Sequence, residues 1–116
     1  MDRGAVPREE LIDEIKRFMR RVSVEHAIFF GSRERGDERP HSDLNLVLLD
    51  DRFEGQALGR LLQELQSKWK SDVHLELLPC SPEQFSEMQD WNALAREAAR
   101  RGLSLHIDLS EEEQPS

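Results

Sequence analysis

Two apolar runs, separated by a short polar loop, restrict the fold of this chain more than any other feature of its sequence. The first run, residues 24–30, is rich in β-branched and aromatic residues and predicts a strand. The second run, residues 44–49, is almost continuously apolar, which predicts a strand buried on both faces. Between them, residues 36–41 contain glycine and proline and predict a turn-rich loop. We therefore expect the fold to be organised around these two strands and the loop that joins them.

Polar residues at the inner ends of the two runs are suited to bind a nucleotide. Gly31 and Ser32 break the first strand, and backbone N–H groups after a strand can face a phosphate. Asp43 enters the second strand where a carboxylate can hold a metal ion that bridges phosphates. Asp43 and Asn45 are two residues apart, so their side chains share one face of that strand. The structural alternatives are a strand-to-helix turn with Ser32 as N-cap and a turn role for Asp43.

The whole stretch resembles the signature of the minimal nucleotidyltransferases, which are small members of the DNA polymerase β superfamily. That signature reads G-S-x-A-x-G, then five free positions, then S-D-x-D-L. The residues that match it in register are Gly31, Ser32, Gly36, Ser42, Asp43 and Leu46. Glu34 stands where the signature has a small alanine, and we expect it to be tolerated if its side chain reaches water. Asn45 stands where the signature has its second metal-binding aspartate.

The resemblance implies an α/β (α+β) fold of the polymerase-β type, in which helices pack on one face of a small mixed β-sheet. The chain pattern is compatible with this architecture. Amphipathic periodicity or capping signals predict helices over residues 7–22, 58–69, 81–90 and 91–101. Two further strands are predicted over residues 73–78 and 103–107. We expect a single domain over residues 1–108 and a disordered acidic tail over residues 109–116.

The resemblance also implies three carboxylates that hold two divalent cations, and here the metal set would be Asp43, Asn45 and Glu76. In the family the third carboxylate lies on the strand beside the Asp-x-Asp strand, and Glu76 is the best match because the segment after it resembles the family's strand exit and helix start. Asp43 and Glu76 are then the predicted catalytic residues. An asparagine can offer an oxygen ligand but brings no charge, so we expect a weakened Mg²⁺ site. Asp72 and His74 share the face of Glu76 and are its alternatives, and a solvent-facing polar row is the structural alternative.

The same resemblance implies that ATP is the substrate or ligand. The residues that it assigns to nucleotide binding are Gly31, Ser32, Arg33 and Ser42. Three arginines crowd the central loop, where they could neutralise a triphosphate: Arg33, Arg35 and Arg39. The structural alternative is a solvated charged loop, because acidic residues are interleaved with these arginines.

Charge and composition restrict the partners and the compartment of the chain. The 116 residues carry a net charge of −8, which disfavours general binding to nucleic acid because such binding rests on Lys and Arg. No apolar run is long enough to span a membrane, and the N-terminus lacks the apolar core of a signal peptide. The single cysteine, Cys80, cannot form an internal disulfide. We expect a cytoplasmic protein with no membrane partner.

Two functions of different class follow from the resemblance. In the first, the chain is a nucleotidyltransferase that uses ATP and Mg²⁺ to modify a hydroxyl of a protein or an RNA, as the antitoxin of a HEPN-type toxin. In the second, Asn45 marks a catalytically inactive pseudoenzyme that acts only by binding a protein partner. Many members of the family form dimers or complexes with their partner, so a homodimer is compatible with both. An accidental resemblance, which would leave a generic α/β domain, is the third interpretation.

Overall fold

Four strands form one mixed sheet in the computed structural model, which describes residues 6–36 and 42–111. The strands are β1 (His26–Phe30), β2 (Leu44–Leu49), β3 (Leu75–Cys80) and β4 (Leu103–His106). Their order across the sheet is β3-β2-β1-β4. β1 is antiparallel to both β2 and β4, whereas β2 and β3 are parallel. The predicted mixed sheet is therefore confirmed.

Five helices accompany the sheet in the described part of the chain. They are α1 (Arg8–Val22), α2 (Ser32–Arg35), α3 (Leu58–Gln66), α4 (Pro82–Met88) and α5 (Ala93–Arg101). Short 3-10 turns cover Asp51–Phe53 and Leu109–Glu111. Within the described ranges, no helix is long and apolar enough to cross a membrane. Arg39 and residues 112–116 of the predicted tail lie outside the described residues, and the remainder of that tail includes the second 3-10 turn.

Helices cover both faces of the sheet, so the expectation of helices on one face was wrong. On one face, α1 and α3 pack over a core whose strand residues include Phe29, Leu44, Leu46 and Leu48. On the other face, α4 and α5 cover a second core that includes Val47 and Leu49. Successive strand residues point to opposite faces, and β2 is apolar in both directions, so each face needs its own cover. The apolar residues that provide the second cover are Phe85, Ala95 and Ala98.

The strand boundaries differ from the prediction where caps and edges intervene. β1 begins at His26 rather than at residue 24, because α1 ends in a left-handed Ser23 and the N–H of Val24 donates to the Met19 carbonyl at 3.0 Å. β3 continues to Cys80 through Pro79, which an edge strand tolerates because its outer side needs no N–H donor. The predicted helix start at Ser81 is confirmed as a capping box with Gln84.

Candidate functional site

The junction between β1 and α2 is built on Gly31. Phe30 is in register with Asn45 on β2, so Gly31 leaves the sheet directly beside Asn45. Gly31 has a φ of +93°, which side chains other than glycine rarely adopt. A Cβ atom at this position would also collide with the Asn45 side-chain amide. The backbone conformation therefore favours glycine at this point of the matched stretch, and the Asn45 amide would have to turn away from any Cβ.

The short helix α2 follows at once. Its N-cap is Gly31, whose carbonyl accepts from the N–H groups of Glu34 and Arg35 at 3.1 Å each. Ser32 is thus the first helical residue, and the alternative in which it is the N-cap was wrong. Ser32 is half-buried, and Gly36 closes the turn in the left-handed conformation with its N–H on the Ser32 carbonyl at 2.9 Å.

Arg33 is the buried residue of α2. It is 2% exposed, and its Nε donates to the Ser42 carbonyl at 2.7 Å. A buried arginine in this position ties α2 to the residue that precedes Asp43, across the segment 37–41. Its geometry is that of a positioning residue, and its predicted contact with nucleotide stays a prediction. Sequence reasoning had no signal for its burial, because a surface loop is the usual place for such a charge.

Glu34 is accommodated differently from the expectation. Its side chain is only 15% exposed, and its carboxylate accepts from Nη2 of Arg8 on α1 at 2.9 Å. The Nε of Arg8 also donates to the Glu34 carbonyl, at 2.8 Å. A partner on α1, rather than water, therefore compensates the charge. Arg35 similarly donates to Glu97 of α5 at 3.0 Å.

The other side of the candidate site is formed where the parallel strands β2 and β3 begin. Asn45 is in register with Glu76, and Leu44 with Leu75. The N–H of Leu44 also donates to the His74 carbonyl at 2.8 Å, which continues the ladder. Because strand residues alternate between faces, this register brings the side chains of residues 43, 45, 74 and 76 to one face of the sheet.

Three of these side chains converge into a group that could hold a metal ion. The potential ligand atoms of Asp43, His74 and Glu76 all lie within 4.8 Å of one another. Nδ1 of His74 and Oδ1 of Asp43 are 3.0 Å apart. All three residues are exposed. Asp72, the other alternative to Glu76, is outside this group within the residues that the structure describes.

This donor set is chemically suited to a divalent cation. Two carboxylates supply hard oxygen ligands with negative charge, and an imidazole supplies a nitrogen ligand. Their exposure leaves further coordination positions open to water or to phosphate oxygens. Asn45 faces Gly31 and is paired with Glu76, so it borders the group without adding charge. The sequence identified Asp43 and Glu76, whereas His74 entered only as an alternative because the register of β2 and β3 could not be read from the pattern.

A separate apolar cleft of about 380 Å³ lies near the other end of β3. It is lined mainly by apolar residues, among them Leu58, Leu78 and Trp91. Cys80 also borders this cleft, and burial raises the pKa of its thiol to about 11. A thiol with that pKa is almost fully protonated near neutral pH and is a poor nucleophile. The described residues of the cleft therefore offer mainly apolar surface, with Glu87 as its charged residue.

Comparisons with known proteins agree with the matched stretch. Residues 12–114 match the family model described as nucleotidyltransferase domain. The fold is similar to the crystal structure of a predicted nucleotidyltransferase from Sulfolobus solfataricus, with a TM-score of 0.52 and 17% sequence identity. That similarity covers 72% of this chain and 74% of the other. At such low identity it supports the fold alone. No curated protein sequence matches the chain.

Proposed function

Because the chain belongs to the nucleotidyltransferase domain family, we propose that it binds ATP together with a divalent cation and transfers the nucleotidyl group to a hydroxyl of a protein or an RNA. One observation carries this proposal. The antiparallel pairing of β1 with β2 and the parallel pairing of β2 with β3 bring Gly31 and Ser32 to the same end of the sheet as Asp43 and Glu76. A turn suited to phosphates and a pair of carboxylates suited to a cation thus lie side by side.

The residues of the chain have separate tasks in this proposal. Gly31, Ser32 and Ser42 bind the phosphates through backbone N–H and hydroxyl groups. Asp43 and Glu76 hold the cation, and Arg33 keeps Asp43 in place through the Ser42 carbonyl. A divalent cation, when bound, neutralises phosphate charge and stabilises the oxygens that enter and leave during transfer.

Asn45 limits the rate of transfer in this proposal. The signature has three carboxylates for two cations, whereas Asp43 and Glu76 provide two here. A neutral amide cannot share negative charge between two cations. We therefore propose that one cation accompanies ATP into the site, that the second cation position is weak, and that transfer is slow.

The proposed setting is the cytoplasm, where the chain acts as the antitoxin of a HEPN-type toxin. The resemblance supports this role, because members of the family often pair with such toxins. The net charge of −8 supports a protein partner over general binding to nucleic acid. A homodimer is compatible with the same role. RNA remains an acceptor in this proposal, bound as a specific substrate rather than through a basic surface.

Transfer is tested with ATP labelled at the α-phosphate, and separately at the γ-phosphate, in the presence of cellular RNA and protein fractions. We expect label from the α-phosphate alone to enter one fraction, because nucleotidyl transfer releases the β- and γ-phosphates together. Asp43→Ala should abolish this transfer. Incorporation of γ-label, or equal incorporation by the Asp43→Ala variant, would contradict the proposal.

Asn45 also favours a second candidate, a pseudoenzyme that only binds its protein partner. The Asn45→Asp variant separates the two functions, because it restores the charge that the signature places there. An enzyme limited by this charge should incorporate more α-label after the substitution. A pseudoenzyme whose site has lost other requirements should show no incorporation before or after it.

A further inference from the structure

We propose that His74 is a ligand of the cation and that the site therefore prefers Mn²⁺, as a first-row transition-metal ion, over Mg²⁺. The family resemblance implies carboxylates and magnesium, and it assigns no role to a histidine. The inference rests on the proposed function for the location of the cation site, but it concerns the nature of the ion. It follows from the ligand atoms that this chain brings together, which are carboxylate oxygens of Asp43 and Glu76 and a ring nitrogen of His74.

The backbone fixes His74 opposite Asp43. The His74 carbonyl accepts from the N–H of Leu44 at 2.8 Å, and Leu44 and Leu75 are in register in the parallel pair. Residues on either side of these partners therefore project from the sheet together. The two side chains meet with Nδ1 of His74 and Oδ1 of Asp43 3.0 Å apart. The sheet thus sets the backbone positions of His74 and Asp43. Rotation of their exposed side chains can adjust the distances between the ligand atoms.

The distances suit a shared ion. Ligands of a transition-metal ion lie about 2.0–2.2 Å from it, so neighbouring ligand atoms are separated by roughly 3–4 Å. The ligand atoms of Asp43, His74 and Glu76 are within 4.8 Å of one another, which small side-chain rotations can reduce. The side chains of His74 and Asp43 are 72% and 45% exposed, so packing does not oppose such rotations.

The donor types determine which ion is favoured. Mg²⁺ takes oxygen ligands and gives up its bound water reluctantly. First-row transition-metal ions also accept imidazole nitrogen, and Mn²⁺ accepts it more readily than Mg²⁺ although it is the weakest binder of that series. Asn45 removes one charged oxygen from the set, which weakens binding of either divalent ion. His74 adds a nitrogen ligand, which gains more free energy with Mn²⁺ than with Mg²⁺. The preference between the two ions therefore depends on His74.

Electron paramagnetic resonance tests this inference directly, because the signal of free Mn²⁺ is lost when the ion binds. The purified full chain is titrated with Mn²⁺, and Mg²⁺ is then added as a competitor. We expect Mn²⁺ to bind at least about tenfold more tightly than Mg²⁺. His74→Ala should weaken Mn²⁺ binding about tenfold and change Mg²⁺ binding by less than about twofold. Equal losses for both ions, or no loss for either, would overturn the role of His74.

Matched variants separate this inference from the proposed function. His106→Ala removes a histidine that pairs with His26 across β1 and β4, and it should leave Mn²⁺ binding unchanged. Asp43→Ala should abolish binding of both ions, and retained Mn²⁺ binding would place the ion elsewhere and overturn the inference. ATP binding is measured on the same samples by calorimetry. Mn²⁺ binding that depends on His74 without any ATP binding would reject the proposed function and leave the inference standing.

Discussion

Two histidines, each in contact with another side chain, lie at opposite corners of the same sheet and differ in exposure and in neighbouring charge. His74, directly before β3, pairs with the carboxylate of Asp43, and its side chain is 72% exposed. His26, at the start of β1, stacks on His106 of β4 with ring centroids 4.1 Å apart. Among the described residues, Nε2 of His26 is buried and has no hydrogen-bond partner. The first corner offers ligand atoms to solvent, whereas at the second the Nε2 atom of the half-buried His26 ring is held away from it.

This difference shows that the placement of charge, rather than the presence of histidine, separates a candidate site from ordinary packing. Burial, and secondly the neighbouring His106, lower the pKa of His26. A histidine whose neutral form is favoured in this way contributes to the packing of β1 and β4. At the other corner, Asp43 and Glu76 supply the negative charge that a cation requires. The following substitutions test whether the two corners differ as described.

The largest expected effect comes from Gly31→Ala, which strains the turn between β1 and α2. The substitution places a Cβ against Asn45 at a φ of +93°, so strain and overpacking add. We expect the free energy of unfolding in urea to fall by about 2–5 kcal/mol.

Gly36→Ala is the control for this prediction. Gly36 also has a positive φ, of +85°, but a Cβ there would meet nothing within 4 Å. It should cost only about 1–2 kcal/mol, the strain of the backbone conformation alone. Equal losses for the two variants would show that contact with Asn45 is unimportant.

A smaller loss is expected when Arg33, the buried arginine of α2, is replaced. Arg33→Met keeps an apolar stem but removes the donor to the Ser42 carbonyl, and it should destabilise the fold by about 1.5–3 kcal/mol. It should also weaken ATP binding, because Asp43 follows Ser42 directly. Arg35→Ala, which removes an ion pair with Glu97 near the surface, should cost less than about 1 kcal/mol. A wild-type affinity for ATP in Arg33→Met would contradict its positioning role.

Asn45→Asp adds a negative charge to the corner that holds Asp43 and Glu76 and leaves the corner of His26 unchanged. We expect the affinity for Mg²⁺ with ATP to rise roughly tenfold, which is about 1.4 kcal/mol, because a third carboxylate joins Asp43 and Glu76. Calorimetry on both proteins measures the change. An isosteric substitution at this position changes charge with little change in shape, so unchanged affinity would mean that Asn45 does not border the cation.

The smallest expected effect is a pH dependence that belongs to the other corner. The pKa of His26 is lower in the folded chain than its usual value of 6.5, so protons bind more readily to the unfolded chain. The contribution of His26 to stability is therefore complete above about pH 6.5 and is lost as the pH falls towards the lowered pKa. Melting temperatures from pH 8 to pH 5 should show a shallower decline in His26→Gln than in the wild type. The same decline in both would exclude His26 as its source.

Local pattern in the sequence predicted most of the sheet and two members of the group Asp43, His74 and Glu76. The continuous apolar run of residues 44–49 and the capping signal at Ser81 act within a few residues, so they could be read directly. Glu34 could not be explained in this way, because its partner Arg8 lies 26 residues away on another helix. The importance of His74 depends on the parallel register of β2 and β3, which is a tertiary property.

Titration of ATP into the purified chain, first with a divalent cation and then with EDTA, tests the central claim most directly. The claim is that the corner formed by Gly31, Ser32, Asp43 and Glu76 binds a nucleotide through a cation. We predict heat of binding with Mg²⁺, a larger affinity with Mn²⁺, and none with EDTA or in Asp43→Ala. ATP binding that survives both EDTA and Asp43→Ala would contradict the claim, and so would the absence of binding with either cation.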